Sequence, residues 1–180
     1  MLRYIRFVPN TLSTIRLILA CVFPFTPEQL WVWLIIAGGG SDVLDGWIAR
    51  RWQVQSRLGA ILDGVADKLF VLIALLTVAG AGKFSLWWVL PLLSRDLLVA
   101  FTAVYAAAVR SWESFNKMDV RWPGKLATAG QFLLLLTVVL YPDGIQIVLW
   151  IAILLSVVSA IDYGRLFIQE LQQRATDTSL

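Results

Sequence analysis

The chain has 180 residues, 59% of them hydrophobic, with a mean hydropathy of +0.76 and a formal net charge of +3. That apolar surplus excludes a soluble domain of this length, and so small a charge gives no reason to expect a nucleic-acid partner. There is no histidine, so His-based acid–base chemistry and His metal ligands are excluded; the single Cys21, read as a buried thiol in an apolar run, allows no intrachain disulfide.

Residues 1–10 place Arg3 and Arg6 among Leu2, Tyr4, Ile5 and Phe7, a pattern suited to a short interfacial segment. No small-residue cleavage site follows, so the first apolar run reads as a retained span. Asn10 stands where it can cap that span, predicted over Thr11–Phe25 and ended by Pro24 and Pro27. The second span is predicted over Leu30–Arg51, its first half plain and its second half acidic. A short polar loop leads to the third, Leu58–Ala81. The fourth is predicted as Leu86–Val109, with Arg95 and Asp96 near its middle. The longest polar loop, 110–123, precedes the fifth span, Gly124–Tyr141. Pro142, Asp143 and Gly144 read as a turn. The sixth span, Ile145–Ile168, leads into a polar tail.

The reading is all-α: a polytopic integral membrane protein with six transmembrane helices and one domain over residues 1–180. Within it, 1–10 are interfacial, 11–171 form the bundle and 172–180 the tail. Six spans put both termini on one side. Arg3, Arg6, Arg50, Arg51, Arg57, Arg110 and Arg165 fall on that side, whereas Lys83 is alone on the other. The positive-inside rule then makes the termini cytoplasmic. The nine tryptophans suit interfacial belts.

Asp42, Asp45, Asp63 and Asp67 interrupt the second and third runs, and ionisable groups at such depth are costly and usually functional. Asp42 and Asp45 are i, i+3; Asp63 and Asp67 are i, i+4; each pair shares a helix face. At 1.5 Å rise per residue, Asp45 lies ~9 Å and Asp42 ~13 Å from a cytoplasmic end near Arg51. From a start near Leu58, Asp63 lies ~8 Å and Asp67 ~13 Å in. The pairs are thus expected to meet in two layers, Asp45 with Asp63 and Asp42 with Asp67. Gly46, Ala49 and Gly59 extend these faces with small residues that admit a close neighbour.

Four carboxylates gathered in low dielectric repel one another, and one or two divalent cations relieve that repulsion. An all-oxygen shell points to Mg²⁺, Mn²⁺ or Ca²⁺, and carboxylate-held metal pairs commonly clamp phosphate oxygens. Arg50 at the mouth can take a further phosphate oxygen. A polar phosphorylated head with an apolar tail suits such a place. Two other readings stay open on spacing alone. The aspartates can be partners of Arg50, Arg57, Lys68 and Arg95 in intramembrane ion pairs, or they can line an ion or proton pathway.

The pattern Asp42-x-x-Asp45-Gly46-x-x-Ala49-Arg50, eight residues, then Gly59-x-x-x-Asp63-x-x-x-Asp67 resembles the signature of the CDP-alcohol phosphotransferases. All eight fixed positions match in order and spacing. The resemblance implies transfer from a CDP-linked lipid, usually CDP-diacylglycerol, to an alcohol, with release of CMP. It implies that Asp42, Asp45, Asp63 and Asp67 hold Mg²⁺ or Mn²⁺ in a two-metal site, with Asp67 also the general base. Gly46, Ala49, Arg50 and Gly59 would lie along the CDP moiety. Asn10-x-x-Ser13-x-x-Arg16 is similar to the family's first-span motif, which adds Asn10 and Ser13 to that group.

The run from Ser41 through Lys68, with Arg95-Asp96 and Gly124-Lys125-x-x-Thr128-x-x-Gln131, most resembles the phosphatidylglycerophosphate synthases, whose acceptor is glycerol 3-phosphate. Lys125, Arg110 and Arg165 are then candidates for the acceptor phosphate, though Lys and Arg at span ends also serve as interface anchors. Gly64 stands where that group usually has Pro, and Ala127 where it often has a second Lys. Cardiolipin synthases share much of the pattern and use phosphatidylglycerol. The resemblance further implies a homodimer in a bacterial inner membrane, with the site facing the cytoplasm.

Overall fold

The computed structural model describes residues 8–52, 57–108 and 122–177, and every regular element among them is helical. In chain order these are α1 (Val8–Val22), α2 (Glu28–Trp52), α3 (Arg57–Gly80), α4 (Val89–Leu92), α5 (Ser94–Ala108), α6 (Trp122–Leu140) and α7 (Ile145–Asp177). Short 3₁₀ turns cover Phe23–Phe25, Leu86–Trp88 and Pro142–Gly144. Among the described residues two helical stretches, Trp122–Leu140 and Pro142–Gln172, are long and apolar enough to cross a membrane. A third results if Leu86–Leu92 and Ser94–Tyr105, bent by 55°, are taken as one span. The stretch Thr11–Phe25 is apolar but shorter, and the aspartates interrupt α2 and α3. Large apolar side chains such as Trp33, Val104, Ile147 and Leu154 lie on the outside, as a lipid-facing surface requires.

The chain divides into two units, the first comprising Met1–Leu86 with Phe132–Ile145, the second Trp87–Gln131 with Gln146–Leu180. In the first, α1 lies against both α2 and α3; among the described residues these two touch each other less than either touches α1. The core is a run of rings. Phe23 stacks on Trp31 at 5.7 Å, meets Phe70 edge-on at 6.0 Å, and Phe70 stacks on Phe132 at 6.2 Å. This explains two glycines in the half of α2 read as plain. A Cβ on Gly38 would fall 2.5 Å from Phe70 Cζ, and one on Gly39 would fall 3.1 Å from Phe132.

Turn chemistry closes the far ends. Thr26 Oγ1 donates to Val22 O, and Trp31 Nε1 donates to Thr26 O, so the Pro24–Pro27 stretch ends α1 as expected. After α3, Gly82 adopts φ +80°, while its N–H and that of Lys83 donate back to Ala79 O and Val78 O. That is a Schellman ending, which favours glycine at the left-handed position. Lys83 Nζ then meets Glu28 at 2.6 Å.

In the second unit the fourth predicted span is not continuous. Pro91 has no N–H to donate, and the helix breaks just after it: Leu93 takes φ −95°, ψ 3°, and Ser94 Oγ donates to Pro91 O. Trp88 packs edge-on against Trp150 at 4.8 Å, and Phe167 of α7 sits against Phe101 and Tyr105 of α5. Gly130 brings α6 onto Ala152 and Leu155.

Three other expectations are corrected or left open. Cys21 is exposed, not buried: α1 turns it outward with Ile18 and Val22. The last helix continues to Asp177, past the expected start of the polar tail. Gln, Glu, Leu and Arg are good helix formers, so a polar composition there does not end the helix. The interfacial segment falls largely on residues 1–7, outside the described residues.

Candidate functional site

Helix α3 carries Asp63 and Asp67 one turn apart, as their spacing predicts. Helix α2 carries Asp42, Asp45, Gly46, Ala49 and Arg50. The side chains of those five, with Asn10 and position 59, lie outside the described residues, so the expected two-layer pairing does too. Gly59 lies in the first turn of α3. Arg110 lies outside the described residues altogether.

Helix α1 supplies what the spacing of the acids did not reveal. Ser13 and Arg16, i and i+3, are both fully buried. Arg16 Nη1 donates to Asp63 Oδ1 at 2.9 Å, and Ser13 Oγ donates to the same oxygen at 3.3 Å. Arg16 Nε donates to Ser41 Oγ at 3.3 Å, and Ser41 Oγ donates to Gly38 O at 2.8 Å. One guanidinium thus ties α1 to both acid-bearing helices. Among the described residues, the bonds to Asp63 all land on Oδ1, and its side chain keeps 31% exposure. Asp67 is buried, with Lys68 Nζ 3.7 Å from its Oδ2.

The intramembrane-pair reading therefore holds in part: Asp67 meets Lys68, one of the expected cations, whereas Asp63 meets Arg16, which was not among them. Arg16 was visible as a motif position, and a lone arginine in an apolar run was the available signal. Its partner, 47 positions away, was not.

Among the described residues no three metal-ligating side chains come together. Asp63 and Asp67 are half of the candidate set, and Asp42 and Asp45 would complete it. The donor chemistry fits a hard divalent cation: all ligands are oxygen, no histidine competes, and Asp63 Oδ2 accepts no bond from the described residues.

The second unit holds the candidates for an acceptor phosphate. Lys125 is exposed, its Nζ 5.3 Å from the Trp122 ring centroid, and Arg165 is exposed on α7. Ala127 is 1% exposed, so that position offers no open face for contact with a ligand. The two remaining echoes of the resemblance are joined. Arg95 Nη1 bonds Asp96 Oδ1 at 2.8 Å, and Gln131 Nε2 donates to Asp96 Oδ2 at 2.9 Å and to Leu92 O at 2.7 Å. Arg95 also lies over the Tyr163 ring, 5.5 Å from its centroid, with Gly124 making room for it.

Residues 6–158 match the family model described as CDP-alcohol phosphatidyltransferase. The chain belongs to that family. It is 34% identical over 149 residues to the CDP-diacylglycerol–glycerol-3-phosphate 3-phosphatidyltransferase of Sodalis glossinidius, covering 77% of this chain and 79% of the relative. A protein of the same name from Pectobacterium atrosepticum is 32% identical over 149 residues, covering 77% and 79%. Another from Yersinia enterocolitica is 31% identical over 147 residues, covering 76% and 78%. No solved structure matches the chain. As a member of this transferase family, the chain carries the signature aspartates on α2 and α3 and the motif residues Ser13 and Arg16 on α1.

Proposed function

We propose that this protein transfers a phosphatidyl group from CDP-diacylglycerol to glycerol 3-phosphate, releasing CMP in phospholipid biosynthesis. The observation that carries the reading is Asp63, a signature aspartate held by one oxygen and open at the other. The relatives' shared name supports glycerol 3-phosphate as the acceptor.

On this reading Asp42, Asp45, Asp63 and Asp67 would hold one or two Mg²⁺ or Mn²⁺ ions. A bound cation would supply neutralisation of the phosphate oxygens as charge moves onto the leaving group. Asp67 accepts the proton of the acceptor hydroxyl. The acceptor oxygen bonds to the β-phosphorus while the bond from that phosphorus to the CMP oxygen breaks, and CMP leaves with the electron pair. Asn10, Ser13, Gly46, Ala49, Arg50 and Gly59 orient the CDP moiety. Lys125, Arg110 and Arg165 take the acceptor phosphate, for which cationic side chains are the right chemistry.

The same reading has residues 1–180 as one homodimeric membrane domain of six spans in a bacterial inner membrane, with termini and site facing the cytoplasm. The arginine-rich side supports that orientation. Purified protein supplied with CDP-diacylglycerol and a panel of alcohols, with products separated by mass, tests the proposal. Phosphatidylglycerophosphate is the expected product. Phosphatidyl transfer only to phosphatidylglycerol or an inositol phosphate would overturn the acceptor. Ion or proton flux in liposomes with no CDP-lipid consumed would overturn the chemistry.

A further inference from the structure

The charge on Arg16 needs an explanation beyond packing. A fully buried guanidinium is costly even when paired, and α1 bears none of the four signature aspartates. An apolar side chain of similar volume would join three helices at no such cost. What the guanidinium adds is direction. Its Nη1 is fixed on Asp63 Oδ1, its Nε on Ser41 Oγ, and Ser41 is itself anchored to Gly38 O. Ser13 adds a second donor to the same carboxylate oxygen. Both donors pull on one oxygen, so the carboxylate cannot rotate freely about its Cβ–Cγ bond, and Oδ2 keeps one orientation. Ser41 also precedes Asp42 directly, so the same bridge fixes the start of the acidic stretch of α2.

We propose that Arg16 is a positioning residue, which holds Asp63 by Oδ1 so that Oδ2 is presented to a divalent cation. The inference rests on the cation reading above. One guanidinium counted against the four carboxylates of the cation reading leaves a net negative charge, so a cation is still attracted. Hydrogen-bond partners behind a metal ligand typically carry about 10–100-fold in metal affinity.

Mn²⁺ binding to the purified protein in detergent, followed by the paramagnetic resonance signal of free Mn²⁺, tests this without turnover. Arg16→Gln is expected to bind Mn²⁺ about 10–100-fold more weakly than wild type. Arg16→Lys, which can still reach Asp63 but lacks the guanidinium fork, is expected to recover at least about half of that loss on a logarithmic scale. At saturating Mn²⁺ the KM for CDP-diacylglycerol in Arg16→Gln should equal that of wild type. Wild-type affinity in Arg16→Gln, or equal losses in the Gln and Lys variants, would overturn the positioning role. Should Arg16→Gln fail to insert, Ser41→Ala replaces it; loss of the Nε anchor is expected to weaken Mn²⁺ binding about 2–10-fold, and unchanged binding would overturn the role. A wild-type chain that takes up no Mn²⁺ would overturn the cation reading itself, a result distinct from any of these.

Discussion

Each unit sets a buried or largely buried arginine beside an aspartate, and the two pairs are built differently. In the second unit Arg95 meets its sequence neighbour Asp96 through Oδ1, and Gln131 takes Oδ2. Both carboxylate oxygens are occupied. In the first unit Arg16 reaches across helices to Asp63, Ser13 joins it on the same oxygen, and no described bond reaches Oδ2. Exposure follows the same division: the Asp96 side chain is 10% exposed and that of Asp63 31%. A saturated buried carboxylate holds a fold together. One that is fixed by one oxygen and open at the other is prepared for a ligand.

The sharpest way to break this contrast is to remove the cation that the open carboxylate is held to meet. Thorough chelation with EDTA should lower CMP release at least about 1,000-fold, and Mg²⁺ should restore it. Persistent turnover would leave Asp63 as structural as Asp96. The Arg95–Asp96 pair should respond in stability. Asp96→Asn strips a buried arginine of its counter-charge, at a cost of up to about 3 kcal/mol, read as a lower melting temperature in detergent. Turnover of the protein that remains folded should stay within roughly tenfold of wild type.

Packing sharpens the comparison further. Gly38→Ala drives a methyl group into Phe70, whose ring is boxed between Phe23 and Phe132, and should cost about 1–3 kcal/mol. Gly124→Ala meets the end of the longer Arg95 side chain and should cost less, about 1 kcal/mol, in the same melting experiment. The smallest effect belongs to the exposed Lys83–Glu28 pair: Glu28→Gln should change stability by less than about 1 kcal/mol.

What could be read from the chain alone divides along the same line as local and distant contact. Apolar runs and prolines placed the ends of α1, α2, α3 and α6 within a few residues, because those signals are local. The i, i+3 and i, i+4 spacings put each aspartate pair on one turn of its helix for the same reason. Pro91 was equally local but lay inside an apolar run, and reading hydropathy first hid the break it causes. Gly38 and Gly39 were opaque because the rings they admit, Phe70 and Phe132, lie far along the chain. Arg16 was opaque for that reason too. A motif position says that a residue matters, whereas its role follows from a partner that only the fold brings near.

Asp67 offers the most direct test of the central claim, since it is the side chain proposed to take the acceptor's proton. Asp67→Asn in purified protein should lower glycerol 3-phosphate-dependent CMP release from CDP-diacylglycerol by roughly 100- to 10,000-fold. Its melting temperature in detergent should stay near that of wild type. Wild-type turnover in that variant, with the protein folded and inserted, would contradict the account.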